Sequence, residues 1–456
     1  MNQDFINKNE IQTMPVGDYF GLSPTELYLV YSPLSGTSFV ARQSDIDTLE
    51  DALYKKTEGN SIPEEMQDII ENLTDIPGID PYLSVVNNPA EYTKLSILPN
   101  FICNFSCSYC YSAKGRSNQV VDKGKLKAML DYFIDPDRAK SKNLSIFISG
   151  GGEPLISWEI VLFILEYGAE TAVQKGVTLE ISLMTNGSKI SPQVIETLKK
   201  YNVNTGVSFD ILEDVQNSQR GKYNEVAESI KEMIAYGYPP SISSVITAGN
   251  VTRQVEMVEE IVAKFKGIRH LNFDPAMDAV SFSSPQELNE FYGSFTEYFF
   301  KARRLSHQHD MTLDCNIIRK FESLFPRYCQ GKLCLTPEGK ISVCHSISSP
   351  KEKGYESVIY GEVTNDGQII FDQQKFSALI AKENNLNENC HSCIAKWHCG
   401  GGCLMYRENY TGRMFDSVCA FTRNIIRDMI LNRLDYQYRE NYNVSLKDYV
   451  VSVYEG

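Results

Sequence analysis

Lys94-Leu95-Ser96-Ile97-Leu98-Pro99-Asn100-Phe101-Ile102-Cys103-Asn104-Phe105-Ser106-Cys107-Ser108-Tyr109-Cys110 decides the fold. Leu95 to Leu98 is a short apolar run that reads as a strand. It delivers the chain into three cysteines spaced C-x3-C-x2-C, which can face one point on a tight loop. Three thiolates on a four-iron–four-sulfur cluster leave one iron without a protein ligand, open to a substrate or cosubstrate. Tyr109 puts an aromatic ring beside the last cysteine, where it can pack on a flat heterocycle. The alternatives are a zinc site or a chance cluster. Structural zinc closes with four ligands, usually from paired C-x2-C knuckles, so this trio fits it poorly.

Downstream, strand and helix patterns alternate, which implies a parallel sheet. Strands are expected at 144–149, 178–184, 205–210, 241–247 and 271–273, and helices at 120–134, 157–174, 191–200, 224–235, 254–265 and 286–303. The strand ends carry the polar residues. They are Gly150-Gly151-Gly152-Glu153-Pro154, Thr185-Asn186-Gly187, Ser208-Phe209-Asp210, and then Asp274 and Asp278. Glycines let backbone approach a ligand closely, and Pro154 starts the next turn without losing a needed donor.

Upstream, residues 1–24 read as a weakly ordered arm. Leu27–Tyr31 and Thr37–Ala41 about Pro33-Leu34-Ser35-Gly36 read as a hairpin. Ser44 is expected to cap a helix from Asp45 to Lys55, and a second helix runs from Pro63 to Leu73. At 456 residues the chain exceeds one usual domain. Its net charge of −14 argues against a nucleic-acid surface. No run approaches the ~18 apolar residues of a membrane span, and Met1 to Glu10 shows no secretory signal, so a cytoplasmic protein is expected. Twelve cysteines in such a chain read as metal ligands rather than disulfides.

Eight of those cysteines form a second constellation, C-x4-C-x9-C from Cys329, then C-x2-C-x5-C-x3-C-x15-C from Cys390. Two sets of four suit two fully ligated clusters, or two zinc ribbons. Cys315 is left over and reads as a small buried hydrophobe. His398 beside Cys399 reads as a donor to a cluster sulfur, Tyr406 and Tyr410 as packing, and 421–438 as an amphipathic helical cap.

The cysteine loop, with its aromatic residue before the third cysteine, resembles the signature of the radical S-adenosylmethionine (radical SAM) enzymes. In that family the open iron of the Cys103/Cys107/Cys110 cluster chelates the amino and carboxylate groups of SAM. Reduction then releases a 5′-deoxyadenosyl radical that abstracts hydrogen. The resemblance implies an α/β fold, a partial (β/α)6 TIM-like barrel, with chemistry at the C-terminal strand ends. It places Tyr109, Gly151, Gly152, Glu153, Pro154, Asn186, Ser208, Asp210 and Arg220 on the cofactor, Arg220 at its carboxylate. Two departures stand out: Ile211 replaces the glycine expected after the aspartate, and Gln216-Asn217 the usual histidine–aspartate pair.

The later cysteines resemble the SPASM extension of peptide- and protein-modifying radical SAM enzymes, whose ligand sets interleave. The match implies Cys329, Cys334, Cys344 and Cys403 on one auxiliary cluster and Cys390, Cys393, Cys399 and Cys419 on another, making three four-iron clusters. The hairpin with its helices resembles the small winged-helix α+β modules that hold leader peptides, by strand addition to a free edge. In sulfatase-maturing relatives an aspartate after the third cysteine of the extension acts as base; here that position is His345, a candidate base. The expected organisation is a leader-binding module at 1–90, the barrel at 91–310, the extension at 311–430 and a helix with tail at 431–456. The expected activity is maturation of a ribosomally made peptide by a thioether or carbon–carbon crosslink. A formylglycine-forming sulfatase maturase and a small-molecule dehydrogenase are the alternatives. Expected partners are a precursor peptide with a leader and a reductase, flavodoxin or ferredoxin as electron donor, with no nucleic acid or membrane.

Overall fold

Leu144, Ile146 and Ile148 are buried while Ser145 and Phe147 between them are only half-buried. This period of two marks one face of a strand packed on helices and one turned to a more open interior. The computed structural model describes residues 10–75, 85–276, 281–329 and 331–455. Parallel strands run in chain order through β4 (Lys94–Ile97), β5 (Asn143–Ile148), β6 (Thr178–Thr185), β7 (Asn204–Ser208), β8 (Ser241–Ile246), β9 (His270–Pro275) and β10 (Thr312–Asp314). Helices alternate with them as expected, among them Lys123–Phe133, Trp158–Lys175, Tyr223–Ala235 and Gln254–Lys264. Ser182, Ser243, Asn272 and Asp274 continue the half-buried face, so small and polar residues gather on the side away from the helices.

Beyond β4 the sheet goes on. β11 (Leu333–Leu335) pairs parallel to β4 and sets Cys334 opposite Ser96, on the strand that leads into the cysteine loop. β12 (Lys340–Ser342), β13 (Ile359–Val363) and β14 (Ile369–Phe371) extend it as an antiparallel meander. One sheet of 11 strands thus carries both cysteine regions.

The N-terminal segment corrects two expectations. Residues 10–24 are ordered structure rather than an arm: β1 (Gln12–Pro15) pairs with β2 (Leu27–Ser32), and Val16 and Phe20 enter the main core. Burial of those two side chains offsets the cost of ordering the segment. The helix Gln43–Thr57 begins two residues earlier than expected, because the Asp45 carboxylate accepts the Arg42 backbone N–H at 3.0 Å and Ser44 lies inside the first turn. With Glu64–Thr74 this helix packs on the hairpin of β2 and β3 (Thr37–Arg42) through Val30, Ile46, Leu49, Ile70 and Leu73, a small core of its own. The Tyr31 hydroxyl meets His398 Nε2 at 2.8 Å, and Glu10 pairs with Lys396 and Trp397, so the module is tied to the second cysteine region. At the other end, the cap expected at 421–438 is a longer helix, Arg413–Tyr442, followed by Leu446–Glu455. No helix of the described residues is long and apolar enough to cross a membrane.

Candidate active site at the strand ends

Asn100 organises the approach to the cysteine loop. Its side-chain oxygen accepts the Ile102 N–H at 2.8 Å, and its amide donates to the Glu153 carbonyl at 3.0 Å and Ser157 Oγ at 2.8 Å. Gly152 N–H donates to Asn100 O at 3.0 Å and Glu153 N–H to Ile102 O at 2.7 Å. A Cβ on Gly152 would lie 2.0 Å from Ile102 O, so the two loops touch backbone to backbone. Asn100 was missed from sequence because a lone asparagine before an apolar pair carries no pattern.

Glu153 is 2 % exposed, and its carboxylate accepts from Thr185 Oγ1 at 2.6 Å, Asn186 N at 2.7 Å and Leu155 N at 3.0 Å. Burial pushes its pKa up, against those donors and Arg220. The carboxylate therefore clamps the ends of β5 and β6 together. Asn186 reaches Asn104 Oδ1 at 3.0 Å and the Cys103 thiol at 3.9 Å, and Asn104 donates to Ser188 at 2.8 Å. Across the loop, Arg116 donates to Cys110 Sγ at 3.2 Å, a contact the sequence did not signal.

At the end of β7, Tyr109 donates to Asp210 Oδ2 at 2.7 Å and accepts from Arg220 Nη1 at 2.8 Å. Burial raises Asp210, and Arg220 and Tyr109 oppose it. Burial works against the Arg220 charge, but Tyr109 and Asp210 outweigh it and the guanidinium stays protonated. Arg220 Nε is buried without a partner, a donor left for an anionic group. Ser208 ends β7, half-buried opposite Ser243. Ile211, where a glycine was expected, keeps a glycine-like backbone with φ 66°, an outlier for a β-branched residue and local strain beside Asp210. Tyr109→Phe is expected to cost about 1–3 kcal/mol in denaturant unfolding by leaving Asp210 and Arg220 short of a partner.

The eight later cysteines gather as two groups. Burial raises Cys329, with Cys403 and Cys344 adding to it, and Cys344 also acts on Cys334. Burial raises Cys399 to about 12, with Cys393, Cys419 and Cys390 adding to it. Cys390, Cys393, Cys399 and Cys419 line one cavity of ≈ 820 Å³ together with Cys403 and Cys315. Among the described residues no three His, Cys, Asp or Glu side chains converge to hold one metal ion. Zinc needs its ligands about one atom, whereas cysteines on a four-iron cluster bind different irons around a larger body. Two sets of four thiols suit the donor requirement of two four-iron clusters.

His345 lies against the end of β5, its ring edge-on to Phe147 with centroids 5.8 Å apart. Lys332 Nζ meets its Nδ1, and burial with Lys332 holds the imidazole well below its usual pKa. Accepting a proton there would bury a second cation beside the first, which argues against His345 as a base. His398 pairs with Tyr31 and stacks on Phe321 at 4.9 Å, so it serves the interface with the N-terminal module. Asp274 accepts Asn316 N–H at 2.6 Å and faces Arg319, while Asp278 lies outside the described residues. Cys315 is fully buried, and Tyr406 stacks on Tyr410 with centroids 5.7 Å apart.

Residues 97–264 match the Radical SAM superfamily. A serine-type anaerobic sulfatase-maturating enzyme of Klebsiella aerogenes is 22% identical over 362 residues, 72% of this chain and 85% of that enzyme. An uncharacterized protein of Methanocaldococcus jannaschii is 25% identical over 177 residues, 38% of this chain, and the chain spans just over half, 58%, of its length. Among solved structures, native anSMEcpe with bound AdoMet aligns with a TM-score of 0.58 at 16% identity, covering 74% of this chain and 98% of that one. Streptococcus suis SuiB bound to precursor peptide SuiA aligns with a TM-score of 0.50 at 13% identity, covering 86% and 96%. These two likenesses speak for the fold.

Proposed function

The chain carries a radical SAM domain at residues 97–264, and from that premise we propose that it matures a ribosomally made peptide by crosslinking. The Cys103/Cys107/Cys110 loop would hold the SAM-binding cluster and the two later cysteine groups an auxiliary cluster each, in the manner of a SPASM extension. When bound, SAM and its cluster supply a hydrogen-abstracting radical, and the auxiliary clusters supply a path for the surplus electron. Arg220 holds the SAM carboxylate with a guanidinium fixed by Tyr109. Asn186 and Arg116 steady the thiols of Cys103 and Cys110. Glu153 fixes the loops after β5 and β6 against the trio. A reductase, flavodoxin or ferredoxin would deliver the reducing electron.

The observation that carries a peptide substrate is the edge of β3 from Thr37 to Ala41, which has no second strand beside it among the described residues. Among the described residues β3 pairs only with β2. Its other edge borders a groove of ≈ 200 Å³ lined by Leu27, Val40, Tyr438, Tyr449, Val450 and Val453. A strand edge with no strand beside it, facing an apolar wall that Arg42 closes at one end by donating to Val453 O at 3.2 Å, suits a leader peptide added as a strand. Val40→Asp and Tyr449→Ala should each weaken binding of a labelled leader at least about tenfold in fluorescence anisotropy, with peptide-free SAM cleavage unchanged. Deleting the module would be a poorer test, because Glu10 and Tyr31 tie it to Lys396 and His398.

The full test is anaerobic turnover of the precursor peptide encoded beside the gene, where a loss of two hydrogens is expected. Unchanged peptide with uncoupled deoxyadenosine would overturn the reading. A second reading, formylglycine formation, is favoured by the alignment over 85% of a sulfatase-maturating enzyme. Turnover of a short C-x-P-x-R peptide to an aldehyde trapped by hydrazine would select it.

A further inference from the structure

Lys320 follows the end of β10 and projects into the ≈ 820 Å³ cavity that the second cysteine group lines. Its Nζ sits over the Tyr328 ring, 3.0 Å from the centroid. Among the described residues no carboxylate is in ion-pair range of it. Burial lowers its pKa to about 8, and Cys329 and Cys403, from the first group, with Cys399, from the second, oppose that fall. A half-buried cation with no carboxylate beside it is stabilised when an anion is supplied. Arg407 and Arg423 line the same cavity and act within the second group, both on Cys390 and Arg423 also on Cys419, while Lys332 acts on Cys329 and Cys334 of the first. Lys320 acts on Cys403 of the first set and on Cys399 of the second.

We propose that Lys320 is a fixed counter-charge shared by the two auxiliary clusters, holding both reduction potentials up so that an electron can enter the pair. The inference rests on the auxiliary-cluster reading above. A cluster with four thiolates is a net anion, and each added electron increases that charge, so a cation at short range favours the reduced form. On a cavity lined by Cys403 of the first set and by all four cysteines of the second, one ammonium acts on both. Lys320 is a positioning charge, not a catalytic residue.

The experiment is a redox titration of the fully reconstituted chain followed by electron paramagnetic resonance, comparing wild type with Lys320→Met and Lys320→Arg. With iron content unchanged, Lys320→Met should make both auxiliary signals about tenfold harder to reduce, a downward shift of about 59 mV for a one-electron couple. Lys320→Arg should stay near wild type. Unchanged potentials in fully loaded Lys320→Met overturn the proposal and leave the auxiliary clusters in place. A wild-type chain that loads only about one cluster's iron overturns both this proposal and the reading beneath it. Should Lys320→Met lose iron, Lys320→Gln and Lys320→Arg decide. Lower potentials in the glutamine variant alone support the shared charge, and equal potentials in the two overturn it.

Discussion

Gly152→Ala is expected to abolish loading of the Cys103/Cys107/Cys110 site while the later cysteine groups keep their iron. The added Cβ would lie 2.0 Å from Ile102 O, 2.3 Å from Asn100 Oδ1 and 2.6 Å from the Ile102 carbonyl carbon. None of these is a flexible side-chain end free to swing away. Ile102 is backbone one residue before Cys103, and the Asn100 amide is held by Ile102, Glu153 and Ser157. The hydrogen bonds from Gly152 to Asn100 and from Glu153 to Ile102 would have to open together. The loop would then move outward by more than an ångström, and misplacement on that scale costs roughly 10²-fold in rate. Iron analysis should show a loss of about one third, and SAM cleavage should fall by at least that factor. Wild-type iron with wild-type cleavage would mean that the loops give way more easily than their hydrogen bonds suggest. Gly151 makes a related demand, with φ 65° and Asn100 O 2.7 Å from its would-be Cβ.

The parallel sheet was legible because runs such as Leu144–Ser149 are long enough to show a period of two and are followed by long amphipathic helices. β10 to β14 were not. Leu333-Cys334-Leu335 is too short for any periodicity, and its partner, Leu95-Ser96-Ile97, lies more than 200 residues away in sequence. Pairing of that kind is set by tertiary packing rather than by local preference. The cysteine groups were legible as spacing, but their division into interleaved sets came only from the resemblance, since eight thiols can be split many ways. Charged residues were the least legible. Lys320, Arg327 and Glu383 look like ordinary surface charges in sequence, yet Arg327 is fully buried and Glu383 is 1 % exposed. Ser44 shows the same limit on a smaller scale, because a capping preference does not say which of two neighbouring turns the fold selects.

Arg327→Met is expected to cost at least about 3 kcal/mol of stability. The guanidinium spends its donors on three acceptors: Asn87 Oδ1 at 2.8 Å, Val86 O at 2.8 Å and Cys329 O at 3.0 Å. The first two belong to the segment that leaves the N-terminal module, and the third to Cys329, which the proposed reading places in the first auxiliary set. Methionine fills much of the volume but leaves those oxygens without that donor, at about 1–3 kcal/mol for each one buried. Glu383 adds to the loss. Burial raises its pKa, and Arg407 and Arg327 oppose that rise, so removing Arg327 leaves a buried carboxylate with less compensation. Breaking a buried charge arrangement from one side costs about 3–5 kcal/mol. Anaerobic denaturant unfolding should therefore show at least about 3 kcal/mol lost, with iron released from the Cys329 set before the SAM-binding trio. A loss under about 1 kcal/mol would show that water replaces the guanidinium at these oxygens. Arg327 would then be a packing residue rather than the tie between the N-terminal module and the cysteines.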